Sequence, residues 1–361
     1  MEIDKLFNRQ GAWLQGTGAD SDIVISSRIR LARNVEGFPF VNRASEQNLV
    51  DLLALVEDVF KRKFDENKVH YFSLQKMPPI DRYYLLERQL ISRELAQSDI
   101  PRGVLIDRDE HFSIMVNEED HLRLQAMTSG LDLQNVWKRI SEIDDLLESE
   151  LPLSFDEKRG YLTACPSNIG TGIRVSVMLH LPGLVESSEL ERAFRGLQKL
   201  SLAVRGIYGE GSSAMGEFFQ ISNQVTLGQS EEELIMQVTD VIPQIIEYER
   251  QARKHVLETR KDTLLDRAFR AVGIMKTART MSVEEAMELL SRMRLGVSLG
   301  LFEELSPQNK NQAGAVPQLL NDLLLHIQPS HLCKIAGKSL PDCEENVFRA
   351  AYIRKQLEEA F

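Results

Sequence analysis

The sequence is short of several things, and each shortage excludes a class of protein. Only three cysteines are present among 361 residues, Cys165, Cys333 and Cys343. They form no CxxC pair and leave an odd count, which speaks against a disulfide framework or a cysteine-built zinc site and for a reducing compartment. No apolar run approaches the roughly 18 residues of a membrane span, and the first residues, MEIDKLFNRQGAW, lack the apolar core of a secretory signal. Positive charge is in deficit, with 43 Lys and Arg against 54 Asp and Glu, a formal net charge of −11. The overall field therefore disfavours nucleic acid, and a cytoplasmic protein is expected. There is no internal repeat and no low-complexity tract. What remains is an ordinary globular composition, 43% hydrophobic and 27% charged, on a chain long enough to bury one or two cores.

From about residue 22 to 250, strand-like and helix-like segments mix. SDIVISSRIR, VHYFSL, HFSIMVN, DHLRLQAM, YLTAC, IRVSVMLHL and FFQISNQ read as strands. SEQNLVDLLALVEDVF has helical spacing behind a Ser45 cap, and PIDRYYLLERQLISRELAQ, LDLQNVWKRISEIDDLLESE and SSELERAFRGLQKLSLAV, the last capped by Ser187 or Ser188, read as helices. HFSIMVN followed closely by DHLRLQAM suggests adjacent antiparallel strands and favours an α+β fold over a doubly wound parallel sheet. Beyond about 230 the strand signals stop. A long amphipathic pattern, interrupted only at Pro243, leads into MSVEEAMELLSRMRLG, AVPQLLNDLLLHI and CEENVFRAAYIRKQLEEA. A boundary near 255 is expected, with a catalytic domain over 20–255 and a helical domain over 256–361. Its apolar stripes (Leu289, Leu290, Met293; Leu319, Leu320, Leu323, Leu324) exceed the needs of a solvated appendage, so a homodimer is expected.

Four segments concentrate arginines and carboxylates. In Ser26-Ser27-Arg28-Ile29-Arg30 the two arginines share one face of a strand; they could grip a polyphosphate or keep an edge strand charged. Asn117-Glu-Glu119-Asp-His121-Leu-Arg123 follows an apolar strand, and its acids read either as solvated or as facing a cation. In CPSNIGTGIR, Cys165 and two glycines precede Arg174, a layout that presents a fixed cation to a ligand or forms a hairpin with an exposed charge. Arg205-Gly206-Ile207-Tyr208-Gly209-Glu210-Gly is a glycine-rich loop, weak as a phosphate signal by itself. His326, His331, Cys333 and Cys343 lie within 18 residues, but without zinc-ligand spacing; no metal residues are assigned.

In their order and spacing, SSRIRLARN, NEEDHLR, CPSNIGTGIRVSV and RGIYGEG resemble the catalytic domain of the phosphagen (guanidino) kinases. The resemblance covers roughly residues 20 to 250. The absence of that family's N-terminal helical domain and the added C-terminal helices resemble the bacterial protein-arginine kinases of the McsB type. The resemblance implies an antiparallel sheet flanked by helices, an all-helical C-terminal domain, and transfer of the ATP γ-phosphoryl group to arginine side chains of proteins. It implies that Arg28, Arg30, Arg123, Arg174 and Arg205 surround the ATP phosphates, with Ser26, Ser27, Ile29, Val175, Ser176, Val177, Met178 and the 205–210 segment lining the nucleotide site. On this reading the glycine turn and Arg174 hold triphosphate. It implies that Glu119 and Glu210 clamp the guanidinium and take its proton, with Cys165 nearby, and that Mg²⁺ is held by phosphates and water. Protein substrates with exposed arginine, a homodimer, an activator protein, a protease complex and a bacterial quality-control role are implied partners and context. Phosphorylation of free arginine, or a catalytically weak adaptor, are the alternatives.

Two departures from the family stand out. Gln89 occupies the place of a nucleotide-contacting histidine. In the RDxxRA motif, implied to form an allosteric phosphoarginine pocket, Glu345 and Asn346 replace Arg and Asp while Arg349 and Ala350 are kept. A glutamate facing a phosphoryl group repels it, so an absent or altered pocket is expected.

Overall fold

The structure, a computed structural model, describes Ile3 and residues 10–206, 214–302 and 315–358. Its strands are β1 (Val24–Arg33), β2 (Val69–Ser73), β3 (Gly103–Asp107), β4 (Phe112–Val116), β5 (Leu122–Ser129), β6 (Phe155–Asp156), β7 (Gly160–Tyr161), β8 (Ile173–His180), β9 (Leu202–Gly206) and β10 (Phe218–Asn223). Its helices are α1 (Glu46–Lys63), α2 (Pro79–Glu87), α3 (Arg93–Gln97), α4 (Leu133–Glu148), α5 (Pro182–Glu186), α6 (Leu190–Lys199), α7 (Glu231–Thr277), α8 (Val283–Ser298), α9 (Ala315–His326), α10 (Pro329–Ala336) and α11 (Asp342–Glu358). Eight strands order as β2-β3-β4-β5-β1-β8-β10-β9, and β6-β7 is a separate two-stranded ribbon. The pairings β1–β5, β2–β3, β3–β4 and β4–β5 are antiparallel, as the α+β expectation requires.

By compactness the chain divides into two units. The first comprises residues 1–13, 26–177 and 222–240, the second 14–25, 178–221 and 241–361. In the first, β3 and β4 are short, largely apolar and almost wholly buried, while the longer β5 mixes apolar with polar residues. Helix α1 starts where Ser45 accepts from the Asn48 amide and Asn48 reciprocates, a capping box. It buries Leu49, Leu52, Val56, Val59 and Phe60, the spacing of one helical face.

Four local readings are corrected. The helix expected from Pro79 to Gln97 is two helices, because Gln89 takes a left-handed conformation (φ 62°) and ends the first. The strand Gly103–Asp107 carries no alternation to betray it, being buried almost throughout. Residues 202–206 continue as strand β9, not helix, and neither Ser187 nor Ser188 caps α6, whose N-cap is Glu189. Pro243 does not interrupt α7; the departure from helical backbone falls at Arg260 (φ −137°, ψ 35°). In the second unit, Val256 and Leu264 on α7 pack with Leu295 on α8.

Candidate active site

The first unit gathers most of the residues singled out above. On β1, Arg28 stands opposite Met127 of β5, Arg30 opposite Gln125 and Ala32 opposite Arg123. Because side chains alternate along a strand, Arg28, Arg30 and Arg123 emerge on one face of the sheet. Arg174 opens β8, which neighbours β1, and its guanidinium donates to Ser222 Oγ at 3.0 Å. The four cations lie close enough to oppose one another. Arg30 is pushed well below the usual arginine range, first by burial and then by Arg28, Arg123 and Arg174, with Glu118 alone pulling the other way. Its Nε is buried without a hydrogen-bond partner. All four arginines are half-buried, and like charges crowded together away from bulk water are costly unless an anion joins them.

Glu118 was not foreseen. It is buried and accepts from Arg123 Nη1 at 2.7 Å. Burial opposes its ionisation, but Arg123, a hydrogen bond from Ser92 and the Glu119 amide outweigh that and hold its carboxyl below the ordinary glutamate range. The acidic run Glu118-Glu119-Asp120 is thus not uniformly solvated: its outer members are buried and Glu119 is exposed. Asn117, left-handed at φ 59°, starts the turn and donates from Nδ2 to the carbonyls of Leu49 and Pro101, both at 3.0 Å. Asp120 turns inward to accept from Asn34 Nδ2 at 2.7 Å and from the Ala164 amide at 2.6 Å. One carboxylate therefore ties the 117–121 turn to the loop that carries Cys165.

That tie brings Glu119 beside Cys165, and the two side chains share a hydrogen bond. Cys165 Sγ also lies 3.0 Å from Ser167 Oγ. Glu119 is raised above the usual glutamate range, mainly by desolvation, then by Asp120 and Glu118; Arg123 and the thiol oppose the shift. A carboxylate raised in this way is a better proton acceptor than an ordinary glutamate. Gln89 also reaches the cationic face. Its Oε1 accepts from Arg28 at 3.3 Å, and its carbonyl accepts from Gln125 at 2.7 Å. A neutral amide there can touch a ligand without adding charge.

The remaining expected residues divide by depth. Ile29, Val175 and Val177 are fully buried, so their side chains serve the core and only their backbone could face a nucleotide. Ser26 is buried, and Ser27 donates to the Gly130 carbonyl at 2.8 Å while accepting from the Asp132 amide, tying β1 to the start of α4. Ser176 Oγ donates to the Arg28 carbonyl at 3.3 Å. The glycines of the 165–174 turn are required by the backbone. At Gly170 (φ 110°) an added Cβ would lie 2.2 Å from the Thr226 carbonyl, and at Gly172 (φ 63°) 2.7 Å from that of Ala32. Gly172 seats the turn against β1, where Arg33 forms a buried bidentate pair with Asp144 (2.6 Å) and donates to the Thr171 carbonyl at 2.8 Å.

In the second unit, Met178 is buried, and Arg205, exposed, sits near the end of β9 with Gly206 after it. Ile207, Tyr208, Gly209 and Glu210 lie outside the described residues. On α11, Arg349 and Ala350 are buried. Arg349 donates to the carbonyls of Ile327 (2.8 Å) and Met281 (3.0 Å), to Asn346 Oδ1 (2.6 Å) and to the Glu345 carboxylate. The two replaced motif positions are thus partners of the kept arginine. His326 Nδ1 lies 2.9 Å from the Asp322 carbonyl, and Cys333 Sγ accepts from the Leu340 amide at 3.4 Å. The three-ligand grouping found among the described residues is elsewhere, at Asp107, Asp109 and His111.

Comparison with known proteins places the chain in a family. Residues 51–252 match the family described as ATP:guanido phosphotransferase, C-terminal catalytic domain. Residues 261–360 match the Protein-arginine kinase McsB C-terminal domain. A protein-arginine kinase of Symbiobacterium thermophilum is 46% identical over 352 residues, 96% of this chain and 97% of the relative. Another, of Halothermothrix orenii, is 41% identical over 358 residues, 99% of each. Among solved structures, a duplicated taurocyamine kinase from Schistosoma mansoni with bound transition-state-analogue components has a TM-score of 0.56 at 27% identity, over 68% of this chain and 34% of that one. A lombricine kinase (TM-score 0.57, 24% identity, 70% of each chain) shares the fold. The chain belongs to the ATP:guanido phosphotransferases and, within them, to the protein-arginine kinase family. It is accordingly a kinase that uses ATP. None of its described helices is long and apolar enough to cross a membrane.

Proposed function

We propose that this protein transfers the γ-phosphoryl group of ATP to arginine guanidinium groups displayed on other proteins. The observation that carries the reading is the crowd of Arg28, Arg30, Arg123 and Arg174 with Glu118 as its counter-charge, close to a raised, thiol-paired Glu119. The cations receive the phosphates, and Arg205 completes the set. Phosphoryl transfer asks mainly for positioning and charge neutralisation, which fixed guanidinium forks supply. Among the described residues the carboxylate on the cationic face, Glu118, is engaged by Arg123; Mg²⁺ would be held by phosphate oxygens and water and would neutralise charge on the transferring group.

The acceptor guanidinium is a cation with a pKa above about 12, so its nitrogen attacks only as a proton leaves. Glu119 takes that proton as the N–P bond forms and the bond from phosphorus to the departing ADP oxygen breaks. Glu210 is the second carboxylate of the clamp, and Cys165 borders the acceptor. The catalytic domain is assigned to 20–255 and the helical domain, with a homodimer contact, to 256–361. A bacterial cytoplasmic setting, an activator protein and a protease complex that reads the mark complete the proposal.

The test is incubation with ATP, Mg²⁺ and either casein or free arginine, with products kept near neutral pH because the P–N bond is acid-labile. Phosphoarginine in casein is the expected product. Turnover of free arginine alone would move the assignment to a small guanidino substrate, and turnover of neither would make the protein an adaptor.

A further inference from the structure

Four stretches of the first unit are bonded side by side next to the candidate site. Phe155 pairs with Tyr161 and Asp156 with Gly160 in the β6–β7 ribbon. Tyr161 in turn bridges to Gly170, its amide donating to the Gly170 carbonyl at 2.8 Å. Gly170 also meets residues 226–227, since a Cβ on it would stand 2.2 Å from the Thr226 carbonyl and 2.9 Å from Leu227 Cα. The Thr171 amide donates to the Thr226 carbonyl at 3.0 Å, and the Thr226 hydroxyl lies 2.7 Å from the Ile169 carbonyl and 3.0 Å from that of Ser167. Thr226 is therefore buried, while Val225 before it and Leu227 after it are 41% and 53% exposed. Phe155, at the ribbon's edge, is 58% exposed. A single surface leucine is ordinary, but three bulky apolar side chains on one bonded strip make a patch.

The same bonds tie the patch to the site. Ser167, whose carbonyl meets Thr226, has its hydroxyl 3.0 Å from Cys165 Sγ, and Cys165 shares a hydrogen bond with Glu119. From Cys165 to residues 225–227 the path is two such steps, on the order of 10 Å, or about three residues of extended chain at roughly 3.3 Å each. An arginine presented by a polypeptide brings its neighbours in sequence with it, and at that reach they meet the strip. The patch is also the right size for a short segment. Three partly exposed side chains offer roughly a few hundred Å², well below the roughly 800 Å² that each partner gives to a stable complex.

We propose that Val225, Leu227 and Phe155 determine acceptor specificity: they receive bulky apolar side chains two to four residues from the target arginine, so that the protein selects arginines in apolar, extended segments of its substrates. This rests on the placement of the acceptor at Glu119 and Cys165 proposed above. The close contacts of Gly170 fix the strip's backbone before a substrate arrives, so little ordering is needed to bind. Its effect belongs to acceptor affinity and not to ATP affinity.

The experiment gives the full-length protein ATP, Mg²⁺ and two short peptides with one central arginine, flanked at the second and third positions on either side by leucine in one and serine in the other. Wild type should favour the leucine peptide by about tenfold or more in kcat/KM, mostly through KM. Val225→Ser with Leu227→Ser should bring that ratio to within about twofold of unity, with turnover of the serine peptide and KM for ATP within about twofold of wild type; Phe155→Ser should lower the ratio in part. Val50→Ser, which alters a residue 44% exposed on α1, should keep the preference. If the double variant does not fold, the two single variants carry the same comparison. A wild type without preference, or a double variant that retains it, overturns the proposal. So does sedimentation in which the substitutions dissociate a dimer seen in the wild type, because the strip would then hold a second copy. A wild type that phosphorylates neither peptide nor casein would refute the kinase reading instead. Fluorescence anisotropy of the two labelled peptides, with the preference expected in wild type and Val50→Ser but not in the double variant, would still decide the strip.

Discussion

Replacing Arg30 by methionine should make the protein more stable and less able to bind its nucleotide. The guanidinium is disfavoured in the folded state by burial and by three neighbouring arginines, and its Nε is an unpaired buried donor. Methionine keeps much of the aliphatic stem that packs along the strand while deleting the charge. Removing such a strained functional group commonly gains about 0.5–2 kcal/mol. At roughly 2.1 cal/mol/K of unfolding entropy per residue, each kcal/mol moves the melting point of a chain this long by only about 1 °C. Calorimetry without nucleotide should therefore show a small upward shift. With nucleotide the order inverts. Ligand at about 100 times Kd stabilises the wild type by about 2.7 kcal/mol, whereas losing a charge-assisted phosphate contact costs about 1.5–3 kcal/mol, some 10- to 150-fold in Kd. The two melting curves should cross as ATP is added. A variant that melts below the wild type without ATP and gains as much from it would refute the reading of the four arginines as a crowd awaiting an anion.

Glu119→Ala should lower kcat by about 10²–10⁴-fold, the usual loss with a general base, with ATP binding retained in calorimetry; Cys165→Ser should cost far less. Since Glu119 is raised in the free protein and must be ionised to accept a proton, the acid limb of the kcat/KM profile should fall above the ordinary glutamate range. Glu118 is lowered, so its stabilisation is present above the ordinary glutamate pKa and is lost as pH falls through the depressed value, visible in pH-dependent melting. Gly170→Ala should destabilise by about 1–3 kcal/mol or more through its left-handed backbone and the 2.2 Å approach to Thr226, read by denaturant titration. Phosphoarginine should bind the wild type weakly, because Glu345 and Asn346 occupy Arg349 internally; Glu345→Arg with Asn346→Asp should tighten binding in calorimetric titration, and micromolar binding by the wild type would contradict this.

Periodicity revealed those elements that have one wet and one dry face. Helix α1, with its Ser45 cap, and the amphipathic helices beyond 230 were legible for that reason. Strand Gly103–Asp107, buried almost throughout, offers no alternation, and the break at Gln89 depends on a left-handed residue that any of several side chains could supply. The arginines of the candidate site could be picked out because strands place alternate residues on one face. Their counter-charge could not: Glu118 and Glu119 are identical letters in an acidic run, and only the turn started by Asn117 sends one inward to Arg123 and leaves the other out. The glycines before Arg174 drew notice for the right physical property, close approach, but what comes close in the structure is the backbone of Thr226 and Ala32.

The crowding around Arg30 also makes this surface an ion exchanger. In any buffer, sulfate, citrate or inorganic phosphate would be drawn to the same guanidinium groups, and what a titration with ATP reports is the replacement of one anion by another. Apparent nucleotide affinity should therefore follow the identity of the background salt, weakening most with multivalent oxyanions, even at matched ionic strength. Two laboratories using phosphate and a zwitterionic amine buffer would measure different constants for an unchanged protein.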